Sequence, residues 1–132
     1  MKTYACAHCR NKVYFENVRC LRCKHELGFD SDRREIATLK PAGESGAFVC
    51  IGDEAGPAVR YCANHAHGVC NWLTRGGDGS ALCVACTLNR TIPNLAEAGS
   101  LQAWRDLERA KKRLVYSLLR FGLPVDATAV AK

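Results

Sequence analysis

The stretch CAHCRNKVYFENVRCLRC, residues 6–23, sets two Cys-x-x-Cys pairs ten residues apart, and no other feature limits the fold as much. Each pair can form a knuckle, and a hairpin of the residues between them brings both knuckles around one tetrahedral ion. Cys6, Cys9, Cys20 and Cys23 are therefore read as a four-thiolate zinc ribbon. Tetrahedral iron is the alternative that soft thiolates leave open. A redox pair is disfavoured, because it needs one Cys-x-x-Cys at a helix start and here two pairs flank a hairpin. Four protein thiolates leave zinc no position for water, so the site is expected to be structural. Residues 4–30 hold few large apolar side chains. Zinc binding in such sites is worth about 10–16 kcal/mol, comparable with the ~5–15 kcal/mol of a whole domain, so folding of this piece should depend on metal.

A second group, Cys62, Cys70, Cys83 and Cys86, has His65 and His67 between its first two members. Cys83 and Cys86 form an ordinary knuckle, whereas Cys62 and Cys70 are too widely spaced for one. The expectation is a second four-thiolate zinc, giving two ions per chain. A mixed site with His65 or His67 replacing a cysteine stays open, and three ligands plus a vacant position would permit a catalytic zinc. Asp53 and Glu54 are the nearby candidates for a general base, and read as solvated loop carboxylates. The ninth cysteine, Cys50 in AFVCI, reads as a small buried residue. His8 and His25 read as loop residues beside the first knuckles, and Trp72 and Trp104 as core, with Trp72 over the second cage.

MKTYACAHCR carries no apolar leader core, and no window reaches the ~18 apolar residues of a membrane span. The expected location is a reducing cytoplasm, where clustered cysteines more often hold metal than pair with each other. Eight thiolates bring minus eight and two zinc ions plus four, so the formal +6 of the chain falls to about +2 when loaded. Basicity is then local: RNK at 10–12, RCLRCKH at 19–25 and ERAKKR at 108–113.

The chain divides into a zinc ribbon at 1–30, a connector with short strands at 31–60, a second zinc-binding subdomain at 61–99, an amphipathic helix at 100–122 and a tail or linker at 123–132. VYF (13–15), ELGF (26–29), IATL (36–39) and AFVCI (47–51) are the strand candidates, and RGGDGS (75–80) is a flexible loop. Leu101, Trp104, Leu107, Ala110, Leu114, Leu118 and Phe121 recur at threes and fours, so they are expected to form the buried face of a helix of about 21 residues and 31 Å. Ser100 is its expected N-cap, and Gly122 with Pro124 its stop. The fold class is small α+β.

YCAN…CNWL, LCVACTLNRTIPNL and WRDLERAKKRLVYSLLRFGLPV, after the opening CAHCRNKVYFENVRCLRCKHELGFD, resemble the N-terminal zinc-ribbon region of a bacterial family of zinc-binding metallopeptidases. The resemblance covers about residues 4–125 and is weakest at 31–60. It implies a following domain whose His-Glu-x-x-His helix binds a catalytic zinc. The chain lacks that motif: its one His-Glu pair is His25-Glu26, with Phe29 where the second histidine would stand. VDATAVAK falls where a linker into such a domain would begin, as in an excised fragment or a stand-alone relative. The chain is accordingly expected to be a non-catalytic zinc module that contacts a protein partner or the missing peptidase domain. Nucleic-acid binding is the alternative, carried by Arg10, Lys12, Arg19, Arg22 and Lys24 around the first cage and by Arg109, Lys111, Lys112 and Arg113 on the helix.

Overall fold

The computed structural model describes residues 3–43, 45–75 and 81–125; most of the RGGDGS loop and of the expected tail lie outside them. Strands β1 (Tyr4–Ala5) and β2 (Lys12–Val13) form a two-stranded antiparallel ribbon with Tyr4 opposite Val13. The rest of the β structure is one antiparallel sheet, in sequential order, of β3 (Glu26–Asp30), β4 (Glu35–Pro41), β5 (Phe48–Cys50), β6 (Val59–Tyr61) and β7 (Leu73–Arg75). The IATL and AFVCI segments supply β4 and β5, and VYF contributes only Val13 to a strand. The sequential order makes this sheet a meander, and a parallel bridge between Phe29 and Trp72 brings its two ends together. There Phe29 N–H donates to the Asn71 carbonyl at 2.8 Å.

Gly28 is required where the sheet closes. A Cβ there would lie 2.5 Å from Leu73 Cδ2 and 3.2 Å from Tyr61 Cε1, so only glycine lets β3 pass these side chains. One face of the sheet packs Leu39, Cys50, Val59 and Leu73 together, which places Cys50 in a small apolar cluster. Burial, then the charge of Asp30, raises its thiol pKa. The main core lies between the ribbon, the sheet and helix α1 (Ser100–Arg120), and includes the cysteines of both groups. Its centre is aromatic. Phe15 contacts Phe29, Trp72 and Tyr116 at ring separations of 5.0, 6.1 and 5.6 Å, and Phe29 lies 4.5 Å from Trp72. Trp72 is fully buried, a core residue shared by the strands and the helix.

Helix α1 departs from expectation in its start and its orientation. Its N-cap is Gly99, in the left-handed region at φ 83°, and no side chain caps it; Ser100 is already the first helical residue. Gly122, at φ 72°, follows the last turn and donates to the Leu119 carbonyl, so the expected stop is where the chain leaves the helix. The buried face is Trp104, Glu108, Lys112, Val115 and Tyr116. Leu107, Leu114 and Phe121, expected inside, face outward. On the inner side the Lys112 ammonium meets Glu108 and a cysteine sulfur, a destination for a charged side chain that counting apolar residues cannot reveal. Among the described residues, no helix is long and apolar enough to cross a membrane.

Candidate metal centres

The sulfurs of Cys6, Cys9, Cys20 and Cys23 converge in one cluster and those of Cys62, Cys70, Cys83 and Cys86 in another, all four within 4.8 Å of one another in each. The first is built from two knuckles of the same local geometry. Cys6 N–H donates to the Asn11 carbonyl and Arg10 N–H to the Cys6 carbonyl; Cys20 N–H to His25 and Lys24 N–H to Cys20 repeat the pattern, all at 2.8–2.9 Å. Closing each knuckle needs a left-handed residue, and Arg10 and Lys24 take that place at φ 67° without glycine's freedom.

The second cage is assembled from farther apart. Cys62 follows β6 and leads the 3-10 turn Ala63–His67, which Gly68 ends in the left-handed region. Cys70 stands just before β7, and Cys86 opens the 3-10 turn Cys86–Leu88. The wide Cys62 to Cys70 spacing is thus filled by one helical turn and the return to the sheet.

These donors fit zinc. Zn–S bonds of about 2.3 Å at tetrahedral angles hold sulfurs roughly 3.8 Å apart, and Cys6–Cys23, Cys9–Cys20 and Cys70–Cys83 lie at 3.6, 3.6 and 3.7 Å. A disulfide needs about 2.05 Å, and all nine cysteines are free thiols. Donors also point at the sulfurs. Thr38 Oγ1–H and Asn11 Nδ2–H approach Cys6 and Cys20 at 3.7 and 3.8 Å, and the backbone N–H groups of Trp72, Cys83 and Cys86 reach Cys70, Cys62 and Cys83 at 3.4, 3.3 and 3.4 Å. Such bonds favour thiolate over thiol. In the first cage the Cys23 N–H draws Cys20 down to about 6, and in the second the Cys70 and Cys83 thiols draw Cys62 down to about 7. Cys86 is lowered by its three cysteine neighbours, with Lys112 adding to them, whereas Cys70 is raised by sharing protons with Cys62, Cys83 and Cys86.

The cages differ in their surroundings. In the first, Cys9 and Cys23 are half-buried, and His25 Nδ1 lies 3.3 Å from the Cys23 sulfur while its ring packs at a tilt against His8, centroids 4.3 Å apart. In the second, all four cysteines are buried, and the Lys112 ammonium sits 3.3 Å from Cys86 Sγ and 2.7 Å from Glu108 Oε2. Glu108 also accepts from Trp104 Nε1 at 3.2 Å and from Lys111 at 2.8 Å. This buried cation beside a cage was not read from the sequence, where Lys112 appeared only in a basic run; the Glu108-to-Lys112 spacing of one helical turn was the available signal.

Neither His65 nor His67 belongs to a cage. His65 stacks on Tyr61 at 3.8 Å and its Nδ1–H donates to the Cys70 carbonyl at 2.8 Å, while His67 packs against Trp104. Asp53 pairs with Arg33, and Glu54 accepts the Gly52 N–H at 3.1 Å. Asn71 ties the cages together: its side-chain amide donates to the Phe15 and Asn17 carbonyls, both at 3.0 Å, between the knuckles of the first.

Residues 3–97 match the zinc-ribbon domain family, and the chain belongs to it. It is also similar to an uncharacterized protein of Mycobacterium bovis and to two uncharacterized proteins of Mycobacterium tuberculosis strains, at 31% identity over 125 residues in each case. That alignment covers 95% of this chain and 33% of each relative, so the chain spans about a third of their length. No solved structure matches it.

Proposed function

We propose that the chain is a non-catalytic module in which two zinc ions build shape, and that it serves as the accessory, protein-contacting region of a zinc metallopeptidase. The observation that carries the structural role is the donor set: each cage converges four cysteine sulfurs, which fill a tetrahedral ion's coordination. The metallopeptidase association rests on the likeness of CAHCRNKVYFENVRCLRC, LCVACTLNRTIPNL and the α1 sequence to that family's N-terminal region. Native mass spectrometry of the chain and of a His65→Ala, His67→Ala double variant tests the first part, with two zinc ions expected in both. Loss of one ion in the variant would reopen a mixed, solvent-accessible site. Mixing the chain with the remaining two thirds of the M. tuberculosis relative tests the second. A stable complex, with any peptidase activity confined to that remainder, is expected; no association would count against the accessory role.

A nucleic-acid reading is favoured by one observation: Arg10, Lys12, Arg19, Arg22 and Lys24 are all exposed around the first cage, with Tyr14 exposed among them. Phosphate binding of this kind weakens steeply with salt. Micromolar binding of labelled single- or double-stranded nucleic acid at two salt concentrations, with a steep slope, would establish it.

A further inference from the structure

Helix α1 has two apolar faces, and the fold covers one. Successive residues turn by about 100°, so Trp104, Glu108, Val115 and Tyr116 share the inner side while Ala103, Leu107, Ala110, Leu114 and Phe121 fall opposite. Leu107 is 71% exposed, Leu114 60% and Phe121 73%, over a length of about 21 Å. Single exposed leucines are ordinary, but a continuous outer stripe on a helix already buried along its inner side marks a helix that is sandwiched. The stripe has the alternating spacing of three and four that makes a helix-pairing seam. Its large row is Leu107, Leu114 and Phe121, and its small row is Ala103, Ala110 and Ser117, where a second backbone can approach closely.

Charge selects the occupant. Lys111, Arg113 and Arg120 flank the stripe, with Asp106 the acid among them, while Arg109 turns toward the inner side beside Glu16 and Arg105. Lys111 is held by Glu108 and Arg113 by Glu16, while Arg120 is exposed with no ion pair among the described residues. A second copy would bring the same basic rim against this one, and like charges across a seam disfavour that pairing. We propose that the outer face of α1 is the docking site for an amphipathic helix of a partner polypeptide, with leucine-type residues along its stripe and Asp or Glu along its flanks. The inference rests on the reading of the chain as a protein-contacting module, and names the surface and the chemistry of the contact.

The test uses the zinc-loaded chain and two fluorescent synthetic peptides of about three heptads, both with Leu along the seam, one flanked by Glu and the other by Lys. Fluorescence anisotropy should show the Glu peptide binding at least about tenfold more tightly than the Lys peptide, with the difference shrinking as salt rises. A Leu107→Ser, Leu114→Ser variant should lose that binding and keep its melting temperature, because both side chains are exposed. Equal binding of the two peptides, no binding of either, or a dimer in sedimentation analysis that the Leu107→Ser, Leu114→Ser variant abolishes would overturn it. If that variant still associates with the remainder of the mycobacterial relative, this face is not the contact, and the accessory role stands without it.

Discussion

Replacing Lys112 by methionine takes the cation from a place with two anions. The ammonium lies 2.7 Å from Glu108 Oε2 and 3.3 Å from Cys86 Sγ, and 6.0 Å from the centre of the Trp72 ring. Burial alone would lower the pKa of Lys112, but the Cys70 and Cys86 sulfurs, with Glu108, hold it above the ordinary lysine value. Burial would likewise raise Glu108, and Lys111 and Lys112 bring it below the usual carboxylate range. Removing one member of a buried pair costs about 3–5 kcal/mol, because the other keeps its charge without a partner. Here Lys111 remains 2.8 Å from Glu108 Oε1, which moves the expected loss to the lower end, about 3 kcal/mol. For a chain of this size that is roughly 10 °C in Tm. Methionine keeps most of the volume, so little of the loss is cavity. Circular-dichroism melting with zinc in excess reads it directly. Adding Glu108→Leu removes the stranded carboxylate and should restore part of the loss, though not all of it, because Trp104 Nε1 and Lys111 then lose their acceptor. A single variant melting within about 2 °C of the parent, or a double variant melting below the single, would refute the reasoning.

Chelation should remove the two ions in order, the first cage before the second, because Cys9 and Cys23 are half-buried and all four cysteines of the second cage are buried; a colorimetric zinc-release assay with two phases, amide signals of residues 3–25 collapsing in the faster one, would show it. Arg10→Gly and Lys24→Gly should each stabilise. Relief of the left-handed conformation is worth about 1–2 kcal/mol and the added freedom of the unfolded chain takes back about 0.5–1, for a net gain near 0.5–1 kcal/mol in denaturant titration. Gly28→Ala should cost about 1–3 kcal/mol in the same titration, since its Cβ would meet Leu73 Cδ2 at 2.5 Å and Cγ at 2.8 Å.

The knuckle cysteines were legible because ligand spacing is a local property: a knuckle closes within five or six residues whatever the rest of the chain does, whereas Cys62 and Cys70 meet only through the turn Ala63–His67 and the return to the sheet. The pairing of the sheet was not. ELGF and IATL are recognisable as strand pieces, but the register that sets Glu26 opposite Leu39 depends on Gly28 passing beneath Leu73, forty-five residues away. The period of α1 was legible and its orientation was not, since outward Leu107, Leu114 and Phe121 equal inner Trp104, Val115 and Tyr116 in number while Glu108 and Lys112 count against burial in any hydropathy pattern. The sulfur contacts of Thr38 and His25 were equally hidden, being set by tertiary placement.

The aromatic cluster also dictates an order of events as the chain is made. Phe15 leaves the ribosome with the first knuckles, but Trp72 and Tyr116, which enclose it, come later by 57 and 101 residues. At synthesis rates of about 5–20 residues per second, the second interval lasts roughly 5–20 seconds. Until Trp72 emerges the newborn ribbon has metal to hold its shape and neither enclosing ring, and until Tyr116 follows its phenylalanines stay only partly shielded. Cells starved of zinc should therefore lose this protein to inclusion bodies during translation, while copies completed beforehand persist.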